Sequence, residues 1–320
     1  MSSSSSPVED TLGGTAGRPG SRLRSPTFRR TRSLTGIPLL WALPGVALVV
    51  AFIYVAFGAG AWYAFTSWDG VSASAPWVGL DNFKEIVNDP SARDALWHTL
   101  ELTAAFVILV NVIGLSFALA LNRTVKSRNW LRAALFAPVI VSPIAVSYVW
   151  QYIFAFTGPL NSLFGTLGLS SWQHDWLGDP DWAIWTILVL LVWQYAGLTM
   201  SFYLAGLQGI PEELDEAAAV DGASTAFRLR RVTLPLLAPA TTVSVALTTI
   251  FGLRVFDQVV GLTEGGPGGA TETLATQVYK QGFVQGRFGY SAAFALILTA
   301  LVAIVSLTQI AVLRRREARL

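Results

Sequence analysis

The chain has 320 residues, of which 53% are hydrophobic and 13% are charged, and its formal net charge is +2. Soluble domains carry about 25% charged residues, so this composition excludes an ordinary soluble protein and indicates a membrane protein. The sequence contains no cysteine, which excludes disulfides and thiolate metal sites. We expect no cofactor or metal bound by this chain and no nucleic acid as a partner.

The chain opens with a segment, residues 1–35, that is rich in Ser, Gly and Arg and poor in large apolar side chains. Such a segment cannot bury enough surface to fold by itself. We therefore predict a disordered basic tail whose arginines contact anionic membrane lipid. A signal peptide is the competing interpretation, but the apolar run that follows is too long for one.

Residues 36–313 contain six apolar runs, each long enough to cross a bilayer as a helix. These runs lack the two-residue alternation of a membrane barrel, so they predict helices. The predicted fold is all-α and polytopic, with six transmembrane helices at about 37–65, 100–121, 133–155, 182–206, 239–262 and 289–313.

Basic residues gather before the first run, in the second and fourth connections, and in a basic C-terminal tail, 314–320. The positive-inside rule then places these segments in the cytoplasm. An even number of spans also requires both termini on one side. We expect a multi-pass protein of the cell membrane, plasma or inner, with both termini cytoplasmic.

The fourth connection, 208–236, interrupts the apolar sequence with EAAAVDGAS and a basic cluster. Acids after Pro211 suit the start of a helix, Gly222 would end it, and Ser224 would cap a second helix that Pro235 closes. Helices this short are unstable alone in water, so the pattern predicts a helix–turn–helix docking surface with Phe227 as an anchor. Its acidic first half argues against the alternative, a helix lying on anionic headgroups.

The fifth run carries the sequence FGLRVFDQVV, and charges inside a membrane are typical of functional sites. Arg254 and Asp257 are three residues apart and are expected to share a helix face. One interpretation is a structural charge pair. The other is a substrate pathway, formed by Arg254, Phe256, Asp257 and Gln258, in which polar groups bind solute hydroxyls and Phe256 stacks on the solute.

Other polar residues in the runs are expected to form hydrogen bonds between helices: Asn111, Gln151, Gln194, Tyr195 and Tyr203. The two histidines, His98 and His174, are expected to be solvated. The tryptophan-rich outer connections, including 77–83 and 158–181, suit either contact with an external partner or anchoring at the membrane interface.

The fourth connection resembles the EAA loop of permease subunits of binding-protein-dependent ABC importers, and the match is closest to the maltose-type, carbohydrate-uptake branch. The matching positions there are Glu216, Ala217, Ala218, Asp221, Gly222, Ala223, Leu234 and Pro235. Further matching positions are Val78, Gly79, Leu80, Asn82, Phe83, Pro138, Trp150, Gly158, Asn161, Phe256, Asp257, Leu262, Thr263, Gly265, Gly266 and Pro267.

This resemblance implies a loop that inserts into a cleft on a cytoplasmic ATPase and transmits ATP-driven movement. It also implies two ATPase copies that bind ATP and Mg, a second homologous permease, an extracytoplasmic solute-binding protein and a small solute such as a sugar. No lysine follows a glycine, so a P-loop is absent from the sequence and this chain is not an enzyme. The alternative function is an ion-coupled secondary carrier or channel that uses Arg254 and Asp257.

Overall fold

The computed structural model describes residues 42–122 and 127–317. The chain divides into two units at Ile53, and the described part of the first, 42–53, is helical. The second unit, from Tyr54 on, holds the remainder of that helical stretch and all the other described elements. Its described residues form helices and one isolated antiparallel bridge, between Thr66 and Trp77, with no regular strand. The predicted basic tail, 1–35, lies outside the described residues.

The described residues contain thirteen helical segments when directly consecutive helices are joined. They are α1 Leu43–Tyr63, α2 Asp81–Asn88, α3 Pro90–Leu121, α4 Arg128–Ile140, α5 Pro143–Phe154, α6 Pro159–Thr166, α7 Pro180–Gln208, α8 Glu212–Val220, α9 Thr225–Leu236, α10 Ala238–Leu253, α11 Asp257–Thr263, α12 Leu274–Val284 and α13 Phe288–Glu317. A single 3₁₀ turn, Ser170–Trp172, lies between α6 and α7.

Four of the described helices, α1, α3, α7 and α13, are long and apolar enough to cross a membrane. Two further spans exist if each of two bent helix pairs counts as one span. The all-α, polytopic fold class is therefore confirmed. The last helix continues to Glu317, so the first residues of the predicted C-terminal tail extend a spanning helix.

The predicted third span is not one straight helix. Helix α4 ends at Ile140, and the next helix begins at Pro143. The angle between α4 and the stretch formed by α5 and α6 is 99°. Proline lacks the amide hydrogen that a continuous helix needs and pushes the residue before it toward extended conformations. Val141 and Ser142 are extended accordingly. The prediction of a continuous helix over 133–155 was wrong because this local signal overrides apolar length.

The predicted fifth span is also interrupted. Helix α10 ends at Leu253, and α11 begins only at Asp257. The backbone carbonyl of Val255, freed by this break, accepts a hydrogen bond from the Thr273 hydroxyl at 3.1 Å. A buried carbonyl without a partner would be costly, so Thr273 stabilises the break. The expectation of one helix over 239–262 was therefore wrong.

The largest buried apolar cluster lies between α3, α5, α7, α10 and α11. Helix α4 crosses α7 at close range, because a Cβ added at Gly197 would lie 1.9 Å from the carbonyl oxygen of Leu135. Only glycine permits this approach of two backbones. Rigid packing here fixes the frame that carries the functional segments.

A buried hydrogen-bond network centred on Asn111 joins three of these helices. Its amide nitrogen donates to Thr248 at 3.0 Å, and its oxygen accepts from Ser244 at 2.7 Å and from Tyr203 at 3.0 Å. Gln151 donates to the Leu262 carbonyl at 3.3 Å, another contact between helices. The predicted role of these polar residues is confirmed at Asn111, Tyr203 and Gln151.

Candidate functional site: the helix–turn–helix loop and the break in the fifth span

The loop 208–236 folds as the predicted helix–turn–helix. Helix α8 begins at Glu212, directly after Pro211, and its first turn carries Glu212, Glu213 and Asp215. Their negative charges lie at the positive end of the helix dipole, where each contributes about 0.3–1 kcal/mol. Local sequence therefore determines where this first helix begins.

A left-handed glycine ends α8. Gly222 has φ +81°, its amide bonds to the Ala219 carbonyl, and the Ala223 amide bonds to the Ala218 carbonyl, each at 3.0 Å. These two bonds are those of a Schellman motif, which satisfies carbonyls at a helix end. A Cβ at Gly222 would meet no atom within 4 Å, so the requirement for glycine comes from the backbone conformation and not from lack of space.

The second helix, α9, begins as predicted. The Ser224 hydroxyl accepts a hydrogen bond from the Phe227 amide at 3.3 Å and caps it. Pro235 is predicted to close this helix, and the helix ends one residue later, at Leu236. A π-helical turn over Leu229–Thr233 precedes an α-helical end at Leu236, and the chain then bends by 67° into α10. In the π-helical turn each amide bonds to the carbonyl five residues before it instead of four. Pro235 follows this turn and has no amide hydrogen to donate.

An ion pair joins the two loop helices. The Arg228 guanidinium donates to the Asp215 carboxylate at 2.6 Å and to the Asp215 carbonyl at 3.3 Å. The carboxylate is about half exposed, with 52% of its side chain accessible. Exposed pairs contribute only about 0.2–1 kcal/mol, so this pair fixes the angle between the helices more than it stabilises the fold. Its partners are 13 residues apart on either side of a turn, so no local pattern in the sequence predicts it.

The loop has no core of its own. None of its residues from 208 to 236 is buried. The predicted coupling residues are all exposed or half-buried, and the Phe227 side chain is 54% exposed. Large apolar side chains open to the outside are Leu214, Val220, Phe227, Leu234 and Leu236. An exposed surface of this kind is typical of a contact with another protein.

The four predicted pathway residues lie at the break in the fifth span. Arg254 follows α10, Phe256 precedes α11, and Asp257 and Gln258 open α11. Arg254 and Asp257 do not share a helix face, because the helix is interrupted between them. None of the ion pairs among the described residues joins them. The interpretation as a pair on one helix was therefore wrong.

These four residues have different surroundings. Gln258 is buried and donates to the Gln194 side chain of α7 at 2.8 Å. Asp257 and Arg254 are exposed, and Arg254 borders a cavity of about 570 Å³ between α12, α13 and Phe57. Phe256 packs edge-on against Tyr279, with ring centroids 5.5 Å apart. The break therefore exposes two charges and a ring edge while Gln258 joins it to the core.

Both histidines differ from expectation. His98 lies on α3, half-buried, and its Nδ1–H donates to the Glu272 carbonyl at 3.2 Å. His174 stacks on Trp182 at 4.9 Å. Each is held by neighbours and is not freely solvated. The partner of His98 is distant in sequence, and the partner of His174 belongs to an aromatic cluster formed by the folded loop. The sequence around each histidine therefore does not predict these contacts.

The family is decided by comparison with known proteins. Residues 110–318 match the model described as "Binding-protein-dependent transport system inner membrane component". The chain belongs to this family. It is an inner-membrane permease subunit of an ABC importer and a transport component, not an ATPase, as the sequence predicted.

Two relatives show how far the similarity extends. The multiple sugar-binding transport system permease protein MsmF of Streptococcus mutans is 34% identical over 270 residues, which cover 84% of this chain and 92% of MsmF. The trehalose/maltose transport system permease protein MalF of Thermococcus litoralis is 35% identical over 268 residues, covering 82% and 88%.

The fold also matches a solved structure. A bacterial ABC transporter involved in the import of the acidic polysaccharide alginate aligns over 87% of this chain and 95% of its own, with a TM-score of 0.76 and 23% identity. At this identity the match supports the fold alone. It agrees with the helical, membrane-spanning architecture described above.

Proposed function

We propose that this permease forms, with a second homologous permease, the translocation pathway of an importer for a sugar or sugar-derived solute. The names of the relatives MsmF and MalF support the solute class. The exposed charges at the break in the fifth span, Arg254 and Asp257, supply hydrogen-bonding side chains that a hydroxyl-rich solute requires, while the buried Gln258 holds the break to α7 through Gln194.

In this proposal the loop 208–236 docks on an ATPase. The single observation that carries this role is an ordered helix–turn–helix without a core of its own, which presents Phe227 and the EAA residues to the outside. Two copies of a cytoplasmic ATPase bind ATP and Mg and drive the movement. A solute-binding protein delivers the solute from the other side, and both termini of this chain lie in the cytoplasm.

Transport then follows from a two-state equilibrium of the spans. ATPase closure favours one state through the loop, and the loaded binding protein favours the other. The loop needs no catalytic group for this, because it only has to move as a body. The Gly222 turn and the pair between Asp215 and Arg228 keep its two helices in a fixed relation.

The test is co-expression of the chain with its partner permease and ATPase, followed by purification through a tag on this chain. Gly222→Asp is compared with Gly168→Asp, because both glycines have positive φ and open space around an added Cβ. Backbone strain of about 1–3 kcal/mol is therefore matched. We expect Gly222→Asp to lose the ATPase and Gly168→Asp to retain it.

Two results would contradict the proposal. Equal ATPase recovery with both variants would remove the loop from the contact. Failure of the wild-type chain to recover any ATPase, while it inserts normally, would contradict a stable contact between this loop and the ATPase.

A further inference from the structure

Six aromatic side chains form a continuous row that ends at the break in the fifth span. Successive ring centroids are 4.3, 5.7, 5.4, 5.7 and 5.5 Å apart. The last four distances are within the range of about 4.5–7 Å that aromatic pairs prefer, and the first, between Tyr63 and Trp68, is slightly shorter. The row runs, in order, through Tyr63, Trp68, Phe288, Phe283, Tyr279 and Phe256.

The row is assembled from separate parts of the chain. Tyr63 ends α1, Phe288 begins α13, and Phe256 lies at the break between α10 and α11. Tyr279 and Phe283 are four residues apart on α12, and their rings are nearly parallel, at 24°. On the proposed topology, the end of α1 and the start of α13 lie at the outer side. The row therefore leads from that side to the predicted pathway residues.

One end of the row is fixed and the middle is open. The Trp68 indole donates to the Ser72 carbonyl at 2.9 Å, and the Phe288 ring lies against Gly70, where an added Cβ would be 2.2 Å from the ring. In contrast, Tyr279 is 44% exposed and Phe283 is 70% exposed. Rings that only fill a core are buried, as Phe106 is in this chain. The open rings present their surfaces to an occupant.

Polar groups accompany the open rings. Lys280 follows Tyr279 in sequence; its side chain is 46% exposed and forms an ion pair with Glu272. Arg254 and Asp257 flank Phe256, and both are exposed. A surface that only contacts acyl chains would not place three charged side chains beside its aromatic rings. Rings interleaved with hydrogen-bonding groups suit a ligand that has apolar faces and polar edges.

We infer that this aromatic row binds consecutive rings of an oligosaccharide as it enters the pathway. A sugar ring has faces of C–H groups and an edge of hydroxyls, so faces stack on aromatic rings while hydroxyls bond to Lys280, Arg254 and Asp257. The spacing of the aromatic rings is close to the length of one sugar unit. This inference rests on the proposed import of a sugar and adds that the solute has several units.

The experiment uses the reconstituted complex with its binding protein and ATPase in liposomes. Uptake of a disaccharide and a pentasaccharide is compared for wild type, Tyr279→Ala and Phe283→Ala, in the malto, arabino and alginate series. Trp172→Ala is the matched control, because Trp172 is 61% exposed and pairs with Phe164 away from the row. Phe283→Tyr keeps the ring and should restore uptake.

We expect each alanine variant to lower pentasaccharide uptake by about two- to tenfold, the value of one lost aromatic contact. Disaccharide uptake and Trp172→Ala should stay near wild type. A second readout uses the absence of cysteine from the chain. A pentasaccharide should slow thiol labelling of Phe283→Cys but not of Trp172→Cys.

Three outcomes overturn the inference. Loss of the partner permease on purification of Phe283→Ala would show that the row is a subunit contact. Equal loss of disaccharide and pentasaccharide uptake, or normal uptake of both, would remove the role in binding several units while leaving sugar import intact. If wild type imports none of the three series, the proposed solute class fails together with the inference.

Discussion

Two exposed segments of this permease are built in opposite ways. The loop 208–236 contains no buried residue and is held by a glycine turn and one exposed ion pair. The segment 156–176 closes around the buried side chain of Asn161, which bonds to Phe156, His174 and Trp176. The second segment supplies its own partners, whereas the first presents a surface that needs another protein.

The two segments therefore have different roles: the contacts of 156–176 stabilise the fold, whereas, in the proposed function, those of the loop 208–236 serve coupling to another protein. A side chain that satisfies several buried groups contributes to the free energy of unfolding, because each group left without a partner costs about 1–3 kcal/mol. An exposed ion pair, such as that between Asp215 and Arg228, contributes little to that free energy. It can still determine the angle between the two helices of the docking surface.

Asn161→Ala should cause the largest loss of stability. It leaves the Trp176 indole and the His174 carbonyl without their bonds of 2.8 Å, so we expect the segment to open and the melting temperature in detergent to fall. Limited proteolysis of 156–176 measures the opening. Asn88→Ala is the control, since Asn88 is exposed and bonds only to the Lys84 carbonyl among the described residues. Loss of ATPase recovery in Asn161→Ala would contradict this division of roles.

Asp215→Asn should affect transport more than stability. The variant weakens the pair with Arg228 and should change the free energy of unfolding by less than about 1 kcal/mol. We expect transport per ATP hydrolysed to fall while the ATPase still copurifies, and high salt to reduce the wild-type value toward that of the variant. Asp81→Asn removes another exposed pair, with Lys84, and serves as the control. Unchanged transport per ATP would show that the ion pair between Asp215 and Arg228 has no role in coupling.

The turn at Asp69 is exposed, like the loop 208–236, but satisfied by its own bonds, like the Asn161 segment. Bonds from Ser72 and Val71 lower the pKa of Asp69 from its ordinary 3.8 to about 2. Because this pKa is depressed, the stabilisation is present above pH 3.8 and is lost as the pH falls through about 2. Fluorotryptophan NMR of Trp68, which bonds to Ser72, should report this transition. Asp69→Asn should abolish it, and a midpoint near pH 4 would be inconsistent with these bonds.

The sequence predicted features that depend on nearby residues. Gly222 and Ser224 act on backbone within a few positions, so the turn and the second helix start of the loop were predictable. A membrane span is recognised by the length of its apolar run, so the approximate positions of the spans were predictable as well. The break at Ser142 also has a local signal, Pro143, but the long apolar run around it favours a continuous helix.

Other features depend on residues that are distant in sequence. Thr273 bonds to Val255 across 18 positions and satisfies a carbonyl that the break in the fifth span leaves without a helical partner. Arg228 reaches Asp215 across 13 positions and across a turn whose geometry must be known first. The aromatic row joins residues from 63 to 288. No periodicity within one helix indicates such contacts, because they arise from packing of the whole fold.

The bend between α9 and α10 has a mechanical consequence. Leu237 lies at the corner and is 1% exposed, while α9 carries Phe227 on one arm and α10 leads to the break after Leu253 on the other. For a rod bent by 67° and held at its corner, a push on the short arm produces a rotation of the long arm and not a simple translation. A small displacement at Phe227 would then act as a torque and swing the far end of α10, where Arg254 and Phe256 begin the break.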